Sequence, residues 1–218
     1  MRRALTLAGA AVLLLSGCGG SNADSASPTP TTASGSPAAI DPAEPACGFL
    51  TPPEREALIG SAIDEVVATG GSNDSSLCRW QAATALLQVT TLPAREWAKT
   101  LPDVVAQLEK SGTTSGDDAK DLARAKKLLT GADSFSDAEA CAAFTTLAEI
   151  GGADKGATTT IATVPITETE SGLSGQICSG GELTSILYSV PDLERTTKVE
   201  AAVQKALKAA QARAVAAR

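Results

Sequence analysis

The amino-acid sequence predicts an α+β domain, an antiparallel sheet flanked by helices and braced by two disulfides. Three observations lead there. Short stretches alternate apolar and polar residues at the period of a strand, longer ones repeat apolar residues at helical spacing, and four cysteines, Cys47, Cys78, Cys141 and Cys178, lie far apart.

The elements follow in chain order. Thr51-Pro52-Pro53-Glu54 has the form of a helix start: a capping hydroxyl, proline in the first turn and a carboxylate three residues on. The helix runs to Ile59 and stops at Gly60. Ile63 to Ala68 reads as a strand, Gly70 to Ser76 as a loop, and Leu77 to Thr91 as two strands or one long bent one, ended by Pro93. Trp97, Leu101, Val104, Val105 and Leu108 then mark a helix stopped by Gly112, and Leu122, Ala125, Leu128 and Leu129 mark another, from near Ser115 to Gly131. Ser136-Asp137-Ala138-Glu139 is a second capping box, opening a helix that reaches Ile150. Thr158 to Thr167, Leu173 to Cys178 and Leu183 to Val190 are three further strands. The last segment, Glu194 to Arg218, is an amphipathic helix with Val199, Val203, Ala206, Leu207 and Ala210 along one stripe.

Laid side by side, residues 46–112 and 136–214 share an order of parts: helix, three strands, helix, with a cysteine near each start and another in each middle strand. That order suggests two copies of one unit, although identities are few and the register between Cys178 and Pro191 slips. Four cysteines allow three connectivities. Two copies that each carry their own pair favour Cys47 with Cys78 and Cys141 with Cys178, each closing a loop worth about 3 to 4 kcal/mol. Such braces matter in a chain whose only aromatic residues are Phe49, Trp80, Trp97, Phe135, Phe144 and Tyr188.

The amino terminus predicts an address. Arg2 and Arg3 precede an uncharged apolar run from Ala4 to Leu15, and Leu15-Ser16-Gly17-Cys18 follows. A basic start, a short apolar stretch and small residues before a cleavage point form a secretory signal. The last four residues resemble the bacterial lipobox, which implies cleavage after residue 17, acylation of the Cys18 thiol and a lipid anchor on the extracytoplasmic side of the cell membrane. Residues 18–45 are then a lipidated cysteine and a Ser/Thr/Ala/Pro tether, a coil spanning roughly 30 Å, and residues 46–218 the extracellular domain. Cleavage leaves 16 basic against 25 acidic residues, a formal charge of −9 that disfavours nucleic acid.

Chemistry is pruned hard by composition. With no histidine, Ser-His-Asp and Cys-His nucleophiles and imidazole metal sites are out of reach. No serine precedes a lysine by three residues, and neither a Gly-Lys dipeptide nor a Gly-x-Gly-x-x-Gly run occurs. Two acids flanking a cleft would suit a glycosidase, and Asp64, Glu65, Asp103 and Glu182 are the candidates; the plainer reading is solvated surface acids. Asp117, Asp118 and Asp121 lack the order of a calcium loop and suit a helix N-terminus instead. No metal and no cofactor is expected. Arg79 and Trp80 are weak candidates for a binding cleft; a tryptophan two residues past a cysteine more often packs over the disulfide.

Cys47-Gly48-Phe49-Leu50-Thr51-Pro52 followed by Cys78-Arg79-Trp80, behind a lipobox and tether, resembles a family of actinobacterial cell-envelope lipoproteins with a domain of unknown function. The match is best from Ala46 to Trp97. It implies an extracellular disulfide-containing α+β domain similar in style to envelope sensor domains, and it carries over no catalytic residue. The expected function is therefore a membrane-anchored, non-catalytic module that binds a small molecule, a lipid or an envelope protein. The alternatives are a carboxylate-dependent cell-wall enzyme and a purely structural envelope protein.

Overall fold

The structure is a computed structural model that describes residues 44–218 apart from positions 61, 72, 113 and 168. The expected leader, the Cys18 lipid site and nearly all of the tether lie outside the described residues. Six strands form one antiparallel sheet in the order β1-β2-β3-β6-β5-β4, where β1 is Glu65–Gly70, β2 Ser76–Gln81, β3 Leu86–Pro93, β4 Thr159–Pro165, β5 Ser171–Ser179 and β6 Glu182–Ser189. Among the described residues six α-helices accompany it: α1 (Pro45–Gly48), α2 (Pro52–Ile59), α3 (Ala94–Ser111), α4 (Asp117–Leu128), α5 (Asp137–Ile150) and α6 (Thr197–Ala216). The predicted class is the observed one, with both expected disulfides, Cys47–Cys78 and Cys141–Cys178, in place.

Local signals set the element ends. Glu54 accepts from both the backbone N–H and the hydroxyl of Thr51, and Glu139 does the same for Ser136, so both capping boxes form. Gly60 and Gly112 close α2 and α3 in the left-handed conformation that glycine adopts without strain. Of the two readings of Leu77 to Thr91, two strands is the observed one, because Ala82 and Ala85 close a tight turn between them. The first strand begins two residues later than its apolar pattern indicates, since pairing with β2 runs from Glu65 opposite Gln81 to Gly70 opposite Ser76.

Residues opposed in an antiparallel pair share a face, so the register sorts the core into two layers. Cys78, Trp80, Leu87, Val89, Ile186, Tyr188, Leu173 and Ile177 point to the first face, where Leu58 and Ile59 of α2 and Val203, Leu207 and Ala210 of α6 cover them. Gly175 lets α6 come close: a Cβ there would sit 3.2 Å from Leu207. Leu92, Leu183 and Cys178 point to the second face, covered by Trp97, Ala98 and Leu101 of α3, Leu122 and Ala125 of α4, and Phe144 and Leu147 of α5. Tyr188 donates to the Leu58 carbonyl at 3.0 Å, and Arg213 of α6 binds both the Phe49 carbonyl and the Glu54 carboxylate, tying the two ends of the domain together.

The order helix, three strands, helix does recur in both halves. A two-fold axis normal to the sheet between β3 and β6 would exchange the two meanders while keeping each face on its own side. The helices do not follow that rotation. In the first half α2 lies on the first face and α3 on the second, whereas in the second half α5 lies on the second and α6 on the first; Cys78 and Cys178 differ in the same way.

Candidate functional site

The second face of the sheet carries polar side chains where a core would be apolar. Thr90 of β3, Ser185 of β6 and Gln176 of β5 are direct cross-strand neighbours, all buried, and form a polar row across three strands. Its β2 end is satisfied: Arg79 donates to the Gln88 side-chain oxygen at 2.8 and 2.9 Å, and the Gln88 side-chain N–H donates to the Thr90 hydroxyl at 3.3 Å. Its β5 end is not. The Gln176 side-chain N–H2 and the Ser174 hydroxyl find no partner, although Gln176 is only 2% exposed.

Above Gln176 the helices do not close. Trp97, Leu101, Val104 and Val105 of α3, Ala125 of α4, Leu129 just beyond it, and Phe144, Leu147 and Ala148 of α5 surround a hollow of about 30 Å³ with Gln176 as the one polar residue in its lining. The cavity is narrow, and a water-sized sphere fits along only a small part of it. Trp97 and Phe144 meet in a tilted pair, ring centres 5.6 Å apart. Trp97 is 4% exposed, and its indole N–H is likewise without an acceptor. Two buried N–H donors beside one apolar cavity cost about 1 to 3 kcal/mol each if nothing accepts from them. Such groups are nearly always paired with protein, water or ligand.

A second cluster lies at the other end of the sheet, where β6 begins. Glu182 is 4% exposed and forms an ion pair with Arg218, and Arg218 also reaches Asp137 at 3.8 Å. Burial pushes the Glu182 carboxyl up to about 7; Arg218 pulls it back, and Asp137 and Asp74 add to the rise. With Asp74, Ser76 and Thr91, Glu182 and Arg218 line an open cleft of about 340 Å³.

The residues singled out from sequence fall elsewhere. Trp80 is fully buried on the first face in one cluster with Cys47 and Cys78, as a disulfide-packing tryptophan would be, and the Arg55 guanidinium lies 5.0 Å over its ring. Arg79, on the opposite face, is half-buried and engaged with Gln88. The two weak binding candidates therefore do not meet in one site. Asp64, Glu65 and Asp103 are exposed, and of the four candidate acids Glu182 alone sits buried in a cleft. Asp117 and Asp121 pair with Lys120 and Arg124 one helical turn on. No set of metal-ligating side chains converges among the described residues, and no described helix is long and apolar enough to cross a membrane. Reading the sequence missed Gln176 and gave Trp97 only a packing role. The one available signal was a glutamine in the middle of a strand, Leu173-Ser174-Gly175-Gln176-Ile177-Cys178, on a face that a helix covers. Compared with known proteins, the chain matches no family model, no curated protein and no solved structure.

Proposed function

We propose that the chain is an extracytoplasmic lipoprotein anchored through Cys18, resembling the actinobacterial envelope family named above, and that its domain is a non-catalytic binding module for a small apolar ligand. The ligand seats between α3, α4, α5 and β5. One observation carries this reading: Trp97 and Gln176, each with a buried N–H that no protein group accepts, are among the residues around a hollow otherwise lined by aliphatic and aromatic side chains. Entry falls to α4, which packs chiefly on α3 and α5 rather than on a strand and is flanked by Gly112 and Gly131, both at positive φ. The oxidising location is supported by two disulfides that each join distant parts of the chain. Native mass spectrometry of the protein purified from its own envelope tests the reading. A bound mass that disappears on Gln176→Leu supports it, and a protein that never carries a ligand counts against it.

The carboxylate-enzyme reading keeps one residue, Glu182, whose protonated form persists toward neutral pH as a general acid requires. Unchanged wall-glycan turnover in Glu182→Gln disposes of it.

A further inference from the structure

The two edges of the sheet are not alike. At β4 the Cys178 N–H donates to the Thr158 carbonyl, so by the alternation of an antiparallel pair Thr159, Ile161, Thr163 and Pro165 turn their main-chain groups away from β5, to the edge. That edge is blunted twice: Pro165 has no N–H to offer, and the Arg195 guanidinium donates to the Ile161 carbonyl at 3.3 Å. At β1 the Gly71 N–H donates to the Ser75 carbonyl, which by the same alternation turns the N–H and C=O of Val66, Ala68 and Gly70 outward. No described residue donates to these groups or accepts from them. The run Val66-Val67-Ala68-Thr69-Gly70 holds neither a proline nor a charge to guard it. Val66 and Ala68 pack on the first-face core, so Val67 points to the second face, where it is the one large hydrophobic side chain left exposed among the described residues, at 38%.

We propose that two copies of this chain join β1 to β1 about a two-fold axis at Ala68, so that their six-stranded sheets run on into one another. An antiparallel pair of identical strands is itself two-fold symmetric, so a second copy supplies the complement unaided. Centred on Ala68, Val66 faces Gly70 of the second copy and Ala68 faces its own counterpart, and every outward N–H and C=O of the three residues is used; centred on Val67, Gly70 is left over. Val67 then faces Thr69 of the second copy across the second face, and Glu65 falls opposite Gly71 instead of its like-charged counterpart. The Glu44 carboxylate sits where a Gly70 side chain would, over the first face and not along the edge. The segment before Glu44 is a poorer occupant, because Pro37 and Pro42 leave only four residues between them to form a ladder. With β4 guarded, association stops at two and does not propagate into a fibre. So short a contact is weak in dilute solution, and anchoring both copies in one membrane, as proposed above, raises their effective concentration.

Sedimentation of the mature chain carrying Cys18→Ser, so that no lipid contributes, tests the pairing. Monomer is expected to pass to dimer and no further as the protein is raised to about 1 mM, in salt that screens the repulsion between two acidic copies. Val67→Lys changes an exposed side chain and spares the core; with its circular dichroism unchanged, it is expected to weaken association about tenfold, since each dimer loses two Val67 contacts and gains two charges. Cysteines report the register. Chains carrying Val67→Cys mixed with chains carrying Thr69→Cys should cross-link under mild oxidation much faster than either alone, because those positions face one another. Fastest cross-linking by Val67→Cys with itself would move the axis to Val67 and overturn the centring on Ala68. Association that Val67→Lys leaves unchanged, or a chain that stays monomeric throughout, overturns the proposal. A monomer whose Val66, Ala68 and Gly70 amides are nevertheless slow to exchange hydrogen would assign the edge to the segment before Glu44 instead.

Discussion

Glu182 makes the stability of this domain depend on pH in the direction opposite to most carboxylates. Its carboxyl titrates at about 7 in the folded chain against an ordinary 4.5. Below pH 4.5 the group is protonated folded or unfolded and contributes no difference. Between 4.5 and 7 the unfolded chain releases the proton while the native chain keeps it, so stability falls as pH rises, and above 7 the loss is complete. At about 1.36 kcal/mol per pH unit the span amounts to about 3 kcal/mol. For a domain of this size that corresponds to roughly 6 to 12 °C in melting temperature. The opposing carboxylates do not interfere between pH 5 and 8. Glu54, held down to about 2 by Arg213, and Glu96 and Glu139, lowered by Lys99 and by the Ser136 cap, are ionised folded and unfolded throughout that range. Thermal unfolding followed by circular dichroism at pH 5 and pH 8 therefore isolates the effect. The native sequence is expected to melt lower at pH 8, and Glu182→Gln, which cannot ionise, to melt nearly alike at the two values. Equal slopes in the two proteins would refute the reasoning, because burial of Glu182 would then not be what disfavours its charge.

Three further outcomes follow from the packing. Replacing Cys141 and Cys178 together by alanine removes a loop constraint of 37 residues and should lower unfolding free energy by about 4 kcal/mol in urea titrations; a loss under 1 kcal/mol would mean that α5 is held on β5 without it. Arg213→Met breaks a partly solvated two-pronged pair with Glu54, at 2.7 and 3.0 Å, and should cost on the order of 1 kcal/mol. The cost should vanish as pH falls from 4.5 toward 2, where Glu54 takes up its proton; a cost unchanged at low pH would assign it to the Phe49 carbonyl contact instead. Gln176→Leu removes a buried amide donor that has no protein acceptor, so the ligand-free domain should gain about 1 to 2 kcal/mol in urea titrations; a destabilised variant would show that the fold itself satisfies Gln176.

Much of the fold was legible because its signals are local. Thr51 with Glu54 and Ser136 with Glu139 are each complete within four residues, and Gly60 and Gly112 need only their own backbone angles. The disulfide pairing was reached through the repeated order of parts, and the pairs are those expected. The same order does not reveal which face each helix takes, because a strand residue changes face with a shift of one position. The slip between Cys178 and Pro191 was the visible trace of that ambiguity, and in space it places Cys178 on the face opposite Cys78.

The cavity was illegible for a different reason. Trp97, Leu101, Val104 and Val105 make the same stripe whether α3 lies flat on the sheet or stands off it, since periodicity reports a face and not a distance. What keeps the layers apart is distributed over three segments. Gln176 denies β5 a clean apolar surface; α4 packs chiefly on its neighbouring helices; and Phe144 pairs its ring with Trp97. None of these is unusual alone. Together they leave a narrow hollow beside Trp97 and Gln176, whose buried N–H groups have no protein acceptor, and a domain this poor in large side chains would gain stability from leucine in place of glutamine. A polar residue at a position where an apolar one stabilises the empty fold fits a requirement for the occupied state, and the expected gain in stability of Gln176→Leu together with the loss of its bound mass states that trade as two measurements on one variant.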